Sequence, residues 1–358
     1  MKVAVIGLGL IGGSIGLAAR GRGGAEVIGF DLDQQAGARA LELGAIDRRA
    51  AALQEAVSAA EIVFVATPVA ALQETVTAAL RDAGPDCVVT DVGSTKRPLA
   101  VLADADRRFV GGHPLAGAET AGVEHAREDL FDGATWYLTP APETAGVLYE
   151  RLHRLLTSFG AQPTAIDADT HDRLMACVSH LPHVLANVLA RQASDLLDDG
   201  GSPRLPAVGP SFRDATRVAG ANSEIWTDIY LSNSDALIAA IDELSGRLQR
   251  VRGALADADA PAVRAWNDDA RAGREALLGA GVAGGPVHEL RASVPNRPGV
   301  IAEIALALGR AGVNIVDMAL SPSEDDRQGV VALWIAGEEH SRRAVELIAE
   351  LGFPVALA

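Results

Sequence analysis

The sequence predicts an α/β domain, an all-α domain and a small ferredoxin-like βαββαβ module, in that order along 358 residues. Three observations carry that prediction. Up to about residue 165, short apolar runs alternate with Ala-rich amphipathic segments, the rhythm of a parallel sheet wrapped by helices. From about 167 to 280 the β-like runs vanish and long helical patterns replace them. After the glycine-rich stretch GVAGGP at 281–286, the remaining segments spell β-α-β-β-α-β. At about 150 residues per domain, two or three domains are expected. Their bounds read as 1–165, 166–280 and 287–358, with 281–286 as linker.

Each element has a local reason. The runs VAVIG, EVIGF, EIVFVAT, CVVTDV, RFVGG, TWYLT and AQPTAI are short and mostly apolar, as strands covered on both faces must be. In the helical region Ser211, Asn222 and Ser234 stand where N-caps are expected. In the last region HELRASV, VNIVDMALSP, GVVALWIAG and FPVAL read as strands, and PGVIAEIALALGRAG and SRRAVELIAELG as helices.

Composition bounds the function. With 49% hydrophobic and 22% charged residues the chain can bury a large core, which excludes disorder and coiled coil. A net charge of −16, with no Lys/Arg run, excludes nucleic acid and anionic membrane as partners. An anionic ligand must then be drawn in by a few local cations or helix N-termini. Cys87 and Cys177 are far apart with no CxxC and read as core thiols, not as a disulfide or metal pair. The apolar start lacks the lead-in and cleavage site of a signal peptide, and no stretch is long enough for a bilayer, so a cytoplasmic location is expected. The apolar stripes of the helical region exceed what one small domain needs, which points to a homodimer built there.

The strand VAVI runs into Gly7-Leu8-Gly9-Leu10-Ile11-Gly12 and then the helix SIGLAAR. In a Rossmann domain the first two glycines of such a turn allow a tight bend and close approach of pyrophosphate, and the third lets helix pack on strand. The next strand ends in Asp31, 19 residues past Gly12, where a carboxylate accepts the ribose hydroxyls and repels a 2′-phosphate. NAD is therefore expected over NADP, although Arg20 or Arg39 could fold back.

Ligands of open α/β sheets bind beyond the strands' carboxyl ends. Three runs end informatively there, in Thr67-Pro68, in Gly93-Ser94-Thr95-Lys96 and in His113-Pro114, and all should line one crevice. The candidate cofactor contacts are thus Gly7, Gly9, Leu10, Ile11, Gly12, Asp31, Thr67, Pro68 and Ser94. Ser94 is equally a plausible N-cap. His113, set directly after a buried strand, reads as an acid–base group.

A second cluster lies between 171 and 197. Leu174, Val178, Leu181, Leu185 and Val188 form one stripe at helical spacing, opposite Asp172, Ser179, His180, His183 and Asn187. No Lys, Arg, Asp or Glu occurs from Leu174 to Ala190, so the polar side should face a pocket or a subunit contact, not solvent. Pro182 should kink this helix. Zinc is a rival reading for His180 and His183, but no third ligand is evident, so no metal is assigned. In a third cluster, Ser211 and Asp214 make a capping-box-like helix start, and Arg217 either pairs with Asp214 or holds a substrate carboxylate.

Taken together, GLGLIGGS, DVGSTK, GGHPLAGAE, HDRLMACVSHLPH, and SFRDATR followed by Trp226 resemble the prephenate/arogenate dehydrogenase family of tyrosine biosynthesis, from residue 1 to about 250. The C-terminal module, with Asn296-Arg297-Pro298-Gly299 before a helix and Asn314 before a strand, resembles an ACT domain, and Asn296 to Gly299 and Asn314 are its candidate effector contacts. The resemblance implies NAD-dependent oxidative decarboxylation, with His113 taking the ring-hydroxyl proton as hydride leaves and Ser94 assisting. It further implies that Arg217 anchors a carboxylate and Asp214 orients it. His180, His183 and Ser179 would line the pocket, with Glu119 at its mouth and Trp226 at its edge. Prephenate and arogenate stay open as substrates, and L-tyrosine is the implied effector of the last module, whose alternative role is a further dimer contact. The reading from another class is a non-catalytic NAD and amino-acid sensor. A β-hydroxyacid dehydrogenase is disfavoured, because Lys2 and Lys96 are the chain's lysines and neither lies in the helical region.

Overall fold

A computed structural model describes residues 1–117, 120–198, 208–279, 287–322 and 328–357. The expected linker at 281–286 and Glu119 lie outside the described residues. The chain divides into two compact units, Met1–His171 with Gly284–Ala358, and Asp172–Ala283.

Eight strands build the sheet of the first unit: β1 (Lys2–Ile6), β2 (Glu26–Phe30), β3 (Arg48–Arg49), β4 (Ile62–Val65), β5 (Val88–Asp91), β6 (Phe109–Pro114), β7 (Thr135–Thr139) and β8 (Gln162–Ala165). Their order is β3-β2-β1-β4-β5-β6-β7-β8, so the strand order reverses beside β1, where a Rossmann crevice opens. Between them run α1 (Leu10–Gly21), α2 (Gln34–Glu42), α3 (Leu53–Val57), α4 (Val69–Asp82), α5 (Arg97–Ala105) and α6 (Gly146–Ser158). Alternation along the strands serves two cores. Val3, Val5, Ile62 and Phe64 face one apolar cluster with α1 and α6, while Ala4, Ile6, Val63 and Val65 face another with α3, α4 and α5.

The parallel pattern fails at one place. β7 pairs antiparallel with β6, and β8 parallel with β7. Parallel neighbours need a crossover of a dozen residues or more, usually a helix. Between β6 and β7 the described residues carry only the 3-10 turn Val123–His125, so the chain returns antiparallel. Strand β3, two residues long, was not expected from the sequence pattern.

The second unit is helical, as expected. α7 (Ala168–Met175) enters it, a π turn (Ala176–His180) follows, and then come α8 (Leu181–Asp198), α9 (Pro210–Thr216), α10 (Ser223–Ser232), α11 (Ser234–Ala256) and α12 (Ala260–Gly279). Asn222 caps α10 by accepting from the Glu224 and Ile225 amides. The other two start signals miss by one or two residues. α9 is capped by Gly209, with Ser211 inside it, and α11 by Asn233, with Ser234 as its first residue. Pro210 explains the first shift, since proline is favoured in the opening turn, where its missing N–H has no partner to lose.

The C-terminal module has β9 (Val287–Pro295), α13 (Val300–Arg310), β10 (Ile315–Pro322), β11 (Gln328–Ala336), α14 (Glu338–Glu350) and β12 (Val355–Leu357). Its strand order β10-β11-β9-β12, with every pair antiparallel, is the ferredoxin-like arrangement. It packs into the first unit: α13 residues Ile301, Ile304 and Leu308 share one apolar cluster with Leu148, Leu152 and Ala165 of α6 and β8. The Gly299 N–H donates to Thr144 O at 3.1 Å, and Arg154 Nε donates to Met318 O at 3.1 Å. Among the described residues no helix is long and apolar enough to cross a membrane.

Candidate active site

The β1–α1 turn is shaped by close backbone approach. Gly7 has φ +92°, and a Cβ on Gly12 would stand 1.9 Å from Gly7 O, so neither position accepts a side chain. Gly9 is the opposite case: it caps α1 without a side-chain bond, and nothing lies within 4 Å of its would-be Cβ. That leaves an open helix N-terminus, which suits a pyrophosphate. Leu10 and Ile11 form the first turn behind it. At the end of β2, Asp31 accepts the Leu8 amide on Oδ2 at 2.6 Å and the Asp33 amide on Oδ1 at 2.8 Å. Leu8, Gly9, Asp31, Arg39 and Gly122 line a cleft of about 630 Å³ there. Arg39 pairs with Glu42, and Arg20 with Asp47, so the two arginines that could have favoured a 2′-phosphate have acidic partners of their own.

Thr67 and Pro68 follow β4, and Pro68 is the N-cap of α4. The Thr67 hydroxyl is buried with no partner among the described residues. An open helix N-terminus, a carboxylate at the end of β2 and an unsatisfied buried hydroxyl at the same sheet edge fit a dinucleotide. Ser94 lies half-buried in the loop after β5 and caps no helix, since α5 has Lys96 as its N-cap.

His113 is the penultimate residue of β6, and its Nδ1 lies 2.9 Å from Nε2 of His171 on α7. His171 is fully buried, and its ring packs edge-on to Tyr137 of β7, the residue in register with His113. This partner was missed by the sequence reading of single clusters. At nine residues before His180 it falls on the opposite side of a regular helix, and only the fold brings it to the sheet edge. Two neutral imidazoles can share one hydrogen bond in either direction. If His113 Nδ1–H donates, its Nε2 is the basic nitrogen; if His171 donates, Nε2 carries the proton.

In the second unit part of the polar helix side faces inward, as the lack of charge predicted: His180 and His183 are 1% and 4% exposed and Asp172 is fully buried, while Asn187 is exposed. The apolar stripe behaves differently from the expectation: Val178 and Val188 are more than half exposed. The π turn explains the change, because its wider coil shifts the phase of the residues around it. It also accommodates Pro182 without ending the helix, and it turns Cys177 outward, so that thiol is exposed and not in a core. Cys87 is buried, and burial pushes its thiol up to about 12.

His183 stacks on Trp226 with ring centroids 3.6 Å apart and 11° between planes, and its Nδ1 meets the Tyr230 hydroxyl. His180 Nδ1 lies 3.2 Å from Asn233 Nδ2, which also donates to Asp172 O at 2.7 Å. Burial lowers the His183 pKa, with a Val218 backbone contact opposing, so this ring is neutral near pH 7. Ser179 is half-buried and Asn187 exposed on the same helix. The turn Arg217–Gly220 packs on α8, and Arg217 and Asp214 are both exposed. Tyr230 and Asn233 were missed; Tyr230 is four residues after Trp226 on one helix face, a spacing that could have found it. Among the described residues no group of three His, Cys, Asp or Glu could hold a metal ion.

Hydride and proton transfer at one sheet edge is what a nicotinamide dehydrogenase needs, and that is the class this fold and site define. Comparison with known proteins narrows it. Residues 15–164 match the prephenate dehydrogenase nucleotide-binding domain, residues 167–267 the prephenate dehydrogenase dimerization domain, and residues 288–351 the ACT domain. The chain is 32% identical over 356 residues to prephenate dehydrogenase of Bacillus subtilis, covering 97% of this chain and 95% of that protein. It is 32% identical over 263 residues to cyclohexadienyl dehydrogenase of Zymomonas mobilis, covering 72% and 89%. Among solved structures, Synechocystis arogenate dehydrogenase superposes with TM-score 0.70 at 29% identity, covering 77% of this chain and all of that one. Aquifex aeolicus prephenate dehydrogenase, in complex with hydroxyphenyl propionate and NAD+, superposes with TM-score 0.70 at 26% identity, covering 77% and 98%. The chain belongs to the prephenate dehydrogenase family and is an NAD-dependent dehydrogenase.

Proposed function

We propose that the protein oxidatively decarboxylates prephenate to 4-hydroxyphenylpyruvate and carbon dioxide in tyrosine biosynthesis. The observation that carries this reading is the His113–His171 pair at 2.9 Å, at the end of a strand whose sheet bears the dinucleotide cradle. Gly7, Gly9, Leu10, Ile11, Gly12, Asp31, Thr67, Pro68 and Ser94 hold NAD, which when bound accepts hydride. His113 takes the proton of the ring hydroxyl, its Nδ1–H donating to His171 so that Nε2 is basic. Ser94 orients the same hydroxyl. Arg217 holds a substrate carboxylate in bidentate geometry and Asp214 orients it, while His180, His183, Ser179, Trp226 and Glu119 are further substrate contacts. Loss of carbon dioxide aromatises the ring, so the side chains mainly position the reacting groups.

Incubating the protein with NAD and either prephenate or arogenate, and following NADH absorbance, tests this directly. Turnover of prephenate is expected; turnover of arogenate alone would move the keto-for-amino choice to the second substrate, which the Synechocystis arogenate dehydrogenase likeness favours. Failure with both substrates would overturn the reading.

The same proposal places the enzyme in the cytoplasm as a homodimer through its helical unit, which matches a dimerization domain. It also assigns L-tyrosine to the ACT module. Asn296, Arg297 and Pro298 are exposed, Gly299 is the N-cap of α13, and Asn314 Oδ1 is buried with no hydrogen-bond partner among the described residues. Calorimetry should show tyrosine binding that is lost after truncation at the 281–286 linker; no heat with the full chain would sink the assignment.

A further inference from the structure

Between β5 and β6 the backbone ladder stops early. Val89 pairs with Phe109 and Thr90 with Val110, where the recorded register ends. β5 ends at Asp91, where the chain turns into the loop that carries Ser94, while β6 runs on to His113. Gly112, the residue before His113, borders that gap, and both its backbone groups bond to a buried ion pair. Its N–H donates to Asp91 Oδ1 at 3.0 Å, and its carbonyl accepts from Lys96 Nζ at 2.6 Å. Lys96 also donates to Asp91 Oδ2, which accepts the Gly93 N–H at 2.8 Å. Neither charged side chain is exposed at all.

A fully buried ion pair is a poor source of stability, because desolvation of both charges offsets their attraction. Two further rungs of sheet would satisfy Gly112 without burying charge. What the ion pair does differently is hold β6 in place while leaving the loop 92–96 outside the ladder. The carbonyl that Lys96 grips belongs to the peptide bond leading into His113.

We propose that the Asp91–Lys96 pair positions His113, fixing the backbone from which the imidazole projects and offsetting the Asp91 charge beside it. Among the described contacts His113 meets His171 from α7 and stands in register with Tyr137 on β7, and the ion pair from β5 and the following loop reaches it through the Gly112 peptide. Removing the ammonium frees the Gly112 carbonyl and leaves Asp91 as an uncompensated anion, which favours the protonated imidazole. The kinetic side of the proposal rests on the reading of His113 as the base; the placement side does not.

The test uses the full-length protein labelled with carbon-13 histidine, with Lys96→Met and the double variant Asp91→Asn/Lys96→Met, and His113→Asn to assign the resonance. NAD affinity should stay within about twofold, while kcat falls about tenfold or more in both variants. The His113 titration midpoint should rise in Lys96→Met, and should rise less in the double variant, which buries no lone anion. Wild-type kcat and midpoint in folded Lys96→Met would overturn the proposal. Should Lys96→Met fail to fold, wild-type kcat in the double variant would overturn it equally. Failure of both to fold would make the pair a folding element and also overturn the positioning role. Retained turnover in His113→Asn would instead remove the base assignment and leave the titration result to stand by itself.

Discussion

In the proposed reaction His113 depends first on its neighbour His171. An isolated histidine at a strand end has two tautomers of similar energy, and the 2.9 Å contact with His171 ties the choice of basic nitrogen to the tautomer of its partner. Replacing His113 by Asn should lower kcat by about two to four orders of magnitude, the range for a positioned general base. His171→Leu should act more mildly, by about tenfold, because the base survives without its orienting acceptor. The pH profile gives the sign. His171 accepts most strongly from the imidazolium, so its loss lowers the His113 pKa and moves the acid limb of kcat to lower pH. An acid limb moving upward would reverse the donor assignment. Arg217 belongs at the same scale: Arg217→Ala should mainly raise the substrate KM, and an unchanged KM would place the carboxylate anchor elsewhere.

Helix α1 and the π turn show how elements present these residues. In α1 the third glycine is a packing residue: a methyl on Gly12 would meet Gly7 O at 1.9 Å. Gly12→Ala should therefore destabilise the protein by about 1–3 kcal/mol as an overpacked contact. It should also weaken NAD binding, measured by fluorescence titration, because relief of the clash moves the turn that meets the pyrophosphate. The π turn does the converse work on the polar side of α8. By widening one coil ahead of Pro182 it lets His180 and His183 both point inward while Val178 and Cys177 turn out.

For the whole molecule, the seam between α6 and the C-terminal module carries a titratable group. His153 of α6 is fully buried, and burial pushes its pKa down to about 4, with Asp317 of β10 opposing. Its folded pKa lies below the ordinary value of 6.5, so the unfolded chain takes up the proton first as pH falls. Its contribution to stability is whole above pH 6.5 and is lost as pH drops from there towards 4. The loss approaches roughly 3 kcal/mol at 1.36 kcal/mol per pH unit. Melting temperature should fall over that window in the wild type and fall less in His153→Phe. Parallel curves for the two would show that the seam is indifferent to this protonation.

Much of this was legible in the residues themselves. Strand positions, the glycine turn, Asp31, His113 and the uncharged helix side follow from periodicity, backbone sterics and charge, all of which act over a few neighbours along the chain. The final βαββαβ order was legible for the same reason. Tertiary structure decided what depends on distant residues meeting. β7 runs antiparallel because no crossover helix precedes it, and the ACT module shares a core with α6 although the sequence presents it beyond a linker. His171 reaches His113, and Lys96 reaches Gly112, across separations of 58 and 16 residues. The Ser211 cap moved to Gly209, and Cys177 moved outward, because a proline and a π turn changed the helical phase. Local pattern fixes which face a residue prefers; only the closed fold fixes what stands opposite that face.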